Sequence, residues 1–184
     1  VKVGTGPRED LARVRAARRA APGAIIRLDG NQGLPPRSSM SLVEACLKDG
    51  PVELLEQPLP KGQESKLPAL VKRCPVPVIA DESVATPEQA ARLAEAGAAG
   101  GFNIKLAKSG ITRGLEIAAV ARAAGLKLMV GCMTETAAGL SPSVALAMGT
   151  GFFDFVDLDS DHLLSGGPAP IGWRRRGRTI ELVD

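Results

Sequence analysis

The repeating unit that decides the fold is clearest in residues 52–83, which read VELLEQPLPKGQESKLPALVKRCPVPVIADES. An apolar run rich in β-branched residues ends in a carboxylate, and a turn and a stretch with helical spacing follow it. The next apolar run again ends in a carboxylate. Apolar strands that alternate with helices are typical of a parallel sheet that is buried on both faces.

The same unit recurs along the chain, with 24 to 27 residues between successive strand ends. The predicted strands read AIIRLD, VELLEQ, VPVIADES, GFNIKLA, LKLMVGC and FFDFVDLD. The markers of the strand ends are Lys2, Asp29, Glu56, Asp81, Lys105, Gly131 and Asp157. Alternating βα units of this size indicate an α/β protein, either a doubly wound sheet or a (β/α)8 barrel.

The positions of the polar residues favour the barrel. A functional group at the end of each successive strand is typical of a barrel active site, because those ends converge on one mouth. A doubly wound phosphate-binding domain would instead carry a glycine-rich turn, and Gly4-Thr5-Gly6 lacks the third glycine of that motif. A full barrel takes on the order of 250 residues. We therefore expect a TIM-like barrel that is incomplete at its N-terminus and lacks its first strand.

Length and composition exclude several classes of function. The chain has 184 residues, 45% of them hydrophobic, which fits a single domain spanning residues 1–184. A net charge of +3 and 3% aromatic residues predict no nucleic-acid partner, and no apolar run is long enough for a membrane helix. Three cysteines without metal-ligand spacing favour a reducing compartment, so we expect a cytoplasmic protein.

Asp29, Glu56 and Asp81 end three consecutive predicted strands. Three carboxylates at one barrel mouth would repel one another, and their pKa values would rise, unless a cation neutralised them. Oxygen ligands with a single histidine in the whole chain favour Mg²⁺ over softer metals. The sequence therefore predicts a magnesium site at the strand ends.

Lys105 ends the strand after the last of these carboxylates, and Lys2 stands at an equivalent strand end before the first. In a barrel the two lysines would lie on either side of the metal site. An ammonium beside a divalent cation and a second ammonium has its pKa lowered, which suits a lysine base near neutral pH. We expect Lys2 and Lys105 to be the catalytic pair.

Asp157 and Asp159 are two residues apart on the last predicted strand, so both side chains should point to the same face. Two carboxylates on one face suit a substrate ammonium group or a second metal. The competing interpretation is a cap on the following helix, a role for which Ser160 and Asp161 are better placed.

The sequence resembles the enolase superfamily, muconate-lactonizing subgroup, and within it the dipeptide epimerases of the L-Ala-D/L-Glu type. The motifs that carry the resemblance are K-V-G, R-x-D-G-N-Q, E-Q-P-L-P, A-D-E-S, N-I-K-x-x-K-S-G, G-C-M-x-E and D-L-D, which span nearly the whole chain. The resemblance implies that this chain is part of the C-terminal barrel domain. It also implies an N-terminal capping domain that these residues do not include, and a homo-oligomer in the complete protein.

The resemblance also implies a reaction and its residues. Asp29, Glu56 and Asp81 would bind Mg²⁺, and Lys2 and Lys105 would epimerise a dipeptide by 1,1-proton transfer through an enediolate. The dipeptide's free ammonium would bind Asp157 and Asp159. The remaining implied site residues are Cys132 and Met133, which would line the substrate pocket, and Asn31, Asn103 and Glu135, which would support the other side chains.

Two segments depart from the family pattern. Ile111 follows Lys108-Ser109-Gly110 where many relatives have a second glycine, and residues 34–41 are less favourable to a helix than expected. Three alternatives to a dipeptide epimerase stay open within the subgroup: o-succinylbenzoate synthase, N-succinylamino-acid racemase and muconate cycloisomerase. A non-catalytic relative is a fourth. Asp157 and Asp159 favour the dipeptide epimerase over the other enzymes of the subgroup, since the substrates of those enzymes have no free ammonium.

Overall fold

The computed structural model describes residues 1–183 and contains a six-stranded parallel sheet whose strands follow chain order. The strands are β1 (Ile26–Asp29), β2 (Val52–Glu56), β3 (Val78–Ala80), β4 (Gly101–Lys105), β5 (Lys127–Gly131) and β6 (Phe155–Asp157). Lys2 adds an isolated parallel bridge to Asp29. A doubly wound sheet reverses its order at a switch point, whereas this order never reverses, which confirms the expected partial barrel. Asp184, the last residue of the predicted domain, lies outside the described residues.

The helices fall between the strands as the repeat predicts. They are α1 (Pro7–Ala20), α2 (Pro36–Lys48), α3 (Leu67–Arg73), α4 (Pro87–Glu95), α5 (Leu106–Ala123) and α6 (Ala137–Thr150). Helix α4 begins with a capping box, in which Thr86 and Gln89 satisfy each other's backbone N–H groups. Residues 34–41 were expected to be unfavourable to a helix, yet α2 begins within them at Pro36. Proline is tolerated there because the first turn of a helix needs no hydrogen bond from its N–H.

Apolar side chains fill both sides of the sheet. Two large clusters lie between the strands and the helices, one centred on Phe102 and Ile117 and the other on Leu28 and Val43. A smaller cluster of the inward-facing side chains consists of Leu54, Ile79, Met129 and, partly buried, Phe155. Each of these is two residues before a strand-end marker, so by alternation the markers stand directly above this apolar layer.

The chain ends in an antiparallel hairpin that the sequence did not predict, formed by β7 (Trp173–Arg176) and β8 (Thr179–Leu182). Trp173 is buried with Val130, Leu140 and Leu158, so the hairpin packs against the β5–α6 side of the barrel. None of the helices described over residues 1–183 is long and apolar enough to cross a membrane.

Candidate active site

A cavity of about 730 Å³ opens at the C-terminal ends of the strands. Ten of the twelve side chains singled out from the sequence line it: Lys2, Asp29, Asn31, Glu56, Asp81, Lys105, Cys132, Met133, Asp157 and Asp159. The other two, Asn103 and Glu135, contact residues of the lining instead. The strand repeat therefore brings together residues that are far apart in the chain.

The three carboxylates of the cavity stand side by side on β1, β2 and the end of β3. Asp29 and Glu56 are paired positions of neighbouring strands, and Asp81 directly follows β3. Glu56 and Asp81 are buried, with 4% and 2% of their surface exposed, whereas Asp29 is half-buried. This row is a concentration of negative charge at the floor of the cavity.

Glu56 is the carboxylate that lacks a cationic partner. Burial, and after it the negative charge of Asp29, raises the pKa of Glu56 to about 7, although a hydrogen bond from Asn103 opposes the shift. Asn103 donates from Nδ2 to Glu56 Oε1 at 2.7 Å. Its amide oxygen is buried against Gly131, where an added Cβ would lie 2.6 Å away. Only glycine fits at position 131 while Asn103 holds Glu56.

Asp81 accepts hydrogen bonds from two lysines. Lys105 Nζ lies 2.7 Å from Oδ2, and Lys108 Nζ lies 2.5 Å from Oδ1. Burial opposes ionisation of Asp81, but the two ammonium groups outweigh it and lower its pKa. At the far end of the row, Lys2 forms an ion pair with Asp29.

The pKa of Lys105 is set here by Asp81 and not by a cation, so the lowering expected beside Mg²⁺ stays a prediction. Burial works to lower the pKa of Lys105, but the hydrogen bond and charge of Asp81 outweigh it and raise the pKa. Lys108 behaves in the opposite way: its burial dominates and lowers its pKa.

Asp157 and Asp159 both line the cavity, but only Asp157 belongs to a strand. The prediction that both lie on the last strand is wrong, because Asp159 has φ −120° and ψ 0° and precedes the 3-10 helix Ser160–Leu163. Leu158, between them, is buried with 4% exposure in the cluster around Trp173, which leaves the two carboxylates on the cavity side. Burial, together with the charge of Asp159, raises the pKa of Asp157.

The wall beside these two aspartates consists of the loop after β5. Met133 is 51% exposed in the cavity, and its backbone N–H donates to Glu135 Oε1 at 2.9 Å. Cys132 Sγ donates to the backbone carbonyl of Asp157 at 3.3 Å. On the opposite side, the Asn31 N–H donates to Asp29 Oδ1 at 2.9 Å. Asn103, Glu135 and Asn31 thus all contact other predicted site residues.

Three charged residues of the cavity were given no role from the sequence: Arg27, Glu82 and Lys108. Lys108 donates to Asp81 and also to the carbonyls of Val84 and Asn103, and its three-residue spacing from Lys105 in N-I-K-x-x-K is the signal that could have revealed it. Arg27 shares the inner face of β1 with Asp29, and its guanidinium lies 5.5 Å from the Phe155 ring centre. Its spacing of two residues from Asp29 is the corresponding signal.

The fold and this arrangement of strand-end residues agree with a comparison of family sequences. The profile described as enolase C-terminal domain-like matches residues 1–176. The chain belongs to this family. The resemblance drawn from the strand-end motifs is therefore confirmed.

Individual relatives give the same result. The chain is 39% identical to an aromatic dipeptide epimerase of Herpetosiphon aurantiacus over 95% of this chain and 49% of that protein. A mandelate racemase/muconate lactonizing protein structure from the same organism matches with a TM-score of 0.95 at 38% identity, covering 100% of this chain and 53% of that one. A dipeptide epimerase from Cytophaga hutchinsonii, complexed with Mg and the dipeptide D-Ala-L-Val, matches with a TM-score of 0.89 at 28% identity, covering 97% and 50%. The chain thus spans about half the length of these relatives.

The chemistry of the carboxylate row fits a hard divalent cation. Three carboxylates supply the oxygen ligands that Mg²⁺ prefers. The negative charges of Asp29 and Asp81 repel that of Glu56, which forms no ion pair with a lysine or arginine among the described residues. Within residues 1–183, no three histidine, cysteine or carboxylate side chains already converge as a preformed metal site. Asp29 and Asp81 are turned towards lysines instead, so binding would require these ion pairs to open.

Proposed function

We propose that the protein is a Mg²⁺-dependent dipeptide epimerase in which Lys2 and Lys105 exchange the α-proton of the C-terminal residue. The observation that carries this proposal is the strand order around the cavity. The strands of Asp29, Glu56 and Asp81 lie between the segment of Lys2 and the strand of Lys105. Two proton-transfer groups on opposite flanks of a carboxylate-binding centre are what inversion at an α-carbon requires.

Each group of residues in the cavity would have a separate role in the reaction. Asp29, Glu56 and Asp81 would hold Mg²⁺, which when bound supplies positive charge beside the substrate carboxylate. One lysine, as the free amine, removes the α-proton, and the ammonium of the other returns a proton from the opposite side. Asp157 and Asp159 bind the ammonium of the dipeptide at the far side of the cavity. The apolar layer of Ile79 and Met129 lies beneath the row of carboxylates.

The matched relatives support the substrate class. Several of them are named dipeptide epimerases, and two were crystallised with Mg and a dipeptide. Asp157 and Asp159 support it independently, because neither carboxylate accepts a side-chain hydrogen bond from another residue in the part of the chain that the structure describes. A homo-oligomer and a cytoplasmic location stay predictions, as does a capping domain outside these residues.

Deuterium exchange tests the proposal directly. Full-length protein would be incubated in D₂O with Mg²⁺ and a library of L,L- and L,D-dipeptides, and α-deuterium would be followed by NMR. We expect incorporation at the C-terminal residue with inversion, and loss of exchange in Lys105→Ala and Lys2→Ala. Lys72→Ala, an exposed lysine of α3, is the matched control that should keep full activity.

Two results would count against this function. Exchange on N-succinylamino acids without any on dipeptides would indicate another activity of the subgroup. No exchange on either class, with Mg²⁺ present, would indicate a non-catalytic relative.

A further inference from the structure

The C-terminal hairpin is fixed to the barrel beside the two candidate ammonium-binding aspartates. Trp173 of β7 is buried, and its Nε1 donates to Ser141 Oγ of α6 at 3.0 Å. The backbone N–H of Ile171 donates to the same hydroxyl at 3.0 Å. A side chain that points inward from β7 therefore has a fixed position relative to the barrel.

Arg175 is such a side chain, two residues after Trp173 on the same face of β7. Its Nη2 donates to the carbonyl of Leu158 at 2.7 Å. The same guanidinium binds both carboxylate oxygens of Asp161, at 2.7 Å and 3.1 Å. Both partners are largely enclosed, since the side chains of Arg175 and Asp161 are 15% and 16% exposed. Arg175 thus holds the backbone before Asp159, at Leu158, and the side chain of Asp161 after it.

The neighbouring arginines on the hairpin have no such contact. Arg174 and Arg176 point to the other face of β7, where both pair with Glu181 of β8. Their side chains are 52% and 64% exposed. Of the three consecutive arginines, Arg175 therefore contacts the segment around Asp159, and Arg174 and Arg176 serve as internal controls.

The Asp157–Asp159 segment depends on such backbone contacts. Asp159 stands beyond the end of β6, so no strand hydrogen bond fixes it. The backbone of the segment is held by Cys132 at Asp157, by Arg175 at Leu158 and by the His162 N–H at Asp159. We propose that Arg175 is a positioning residue that sets the two carboxylates at the geometry needed to bind a substrate ammonium group. This inference rests on the proposed function.

Steady-state kinetics of full-length variants would test the inference, with the dipeptide that exchanges fastest in the screen as the probe. In Arg175→Ala we expect KM to rise about tenfold, the size of effect that loss of a charge-assisted hydrogen bond produces, while kcat changes less than about threefold. Arg175→Lys keeps the positive charge but lacks the planar guanidinium that binds two acceptors at once, so its KM should lie between those of wild type and Arg175→Ala. Arg174→Ala and Arg176→Ala should keep the wild-type KM.

A second readout separates positioning from simple destabilisation. For wild type and variants, kcat/KM would also be measured on the same dipeptide with its amine acetylated. A positioning role lowers the preference for the free amine, whereas loss of folded protein lowers both rates equally and leaves the preference unchanged.

The contrary outcomes are distinct. An unchanged KM and an unchanged amine preference in Arg175→Ala, or in Arg175→Gln should the alanine variant fail to fold, would overturn the inference and leave the epimerase proposal standing. Wild-type protein that exchanges no dipeptide would overturn both.

Discussion

Asp10 shows how one buried carboxylate holds the segment that carries Lys2. Its side chain has no exposed surface, and it accepts hydrogen bonds from the backbone N–H groups of residues 4–6 and from the hydroxyl of Thr5. Arg13 joins Asp10 to the backbone carbonyl of Lys2. Burial opposes ionisation of Asp10, but these hydrogen bonds outweigh it and lower its pKa.

We predict that Asp10→Asn lowers the free energy of unfolding by about 2 kcal/mol at pH 7, since amide groups cannot accept all of these bonds. Because the folded pKa of Asp10 lies below its unfolded value, its contribution is fully present above the unfolded pKa and is lost as pH falls through the folded one. Urea unfolding between pH 7 and pH 3 should therefore show the difference between variant and wild type shrinking with acid. A constant difference across that range would contradict this role for the charge.

Asp159 gives a second prediction at the same scale. In Asp159→Asn we expect KM for the dipeptide to rise about tenfold, because a neutral amide replaces the carboxylate that attracts the ammonium. Stability should hardly change, because the side chain is exposed and makes no hydrogen bond within residues 1–183. Asp49→Asn, which alters a surface ion pair with Arg15, is the control. Unaltered kinetics on a dipeptide would remove the main residue-level support for that substrate class.

At the scale of elements, helix α5 contains a break that separates the Lys105–Lys108 turn from the rest of the helix. Gly110 has φ 69° and ψ 180°, a conformation that side chains with a Cβ rarely adopt. Ile111, which stands where many relatives have a second glycine, leaves Lys108 in contact with Asp81. Gly110 alone therefore provides the break, and Ile111 is 53% exposed beyond it.

The same substitution should act in opposite directions at two helical glycines. Gly110→Ala should destabilise by about 2 kcal/mol through backbone strain alone, since the added Cβ would meet open space. Gly149→Ala, in the last turns of α6 with a negative φ and equally open surroundings, should stabilise by about 0.5 kcal/mol. Urea midpoints of the two variants would test this pair. Equal effects would show that the break at Gly110 is not imposed by its backbone.

For the whole molecule, the carboxylate row couples three strands through one site. A ligand that binds only the folded protein stabilises it, by about 2.7 kcal/mol at a concentration one hundred times its Kd. We predict that Mg²⁺ raises the Tm of full-length wild-type protein and that Glu56→Gln removes this increase. Glu44→Gln, an exposed carboxylate on α2, should respond as wild type does. An equal Mg²⁺ response in Glu56→Gln would place the cation elsewhere.

Much of the architecture could be predicted because its signals are local. Strand alternation and helix spacing are one-dimensional patterns, so the repeat is enough to predict β1 to β6 and to place the strand-end markers at one mouth. Elements outside the repeat had no such signal. The β7–β8 hairpin is short and charged, and its position depends on Trp173 packing against Val130 and Leu140.

The sequence by itself determined which residues stand at the mouth of the barrel, since a βα repeat of constant length brings every strand end to the same edge. Only the tertiary structure decided which of them pair. These contacts join residues that are far apart in the chain: Lys105 with Asp81, Asn103 with Glu56, and Arg175 with Leu158. Burial and proximity in three dimensions set the strength of charge interactions, and neither is encoded in spacing along the chain.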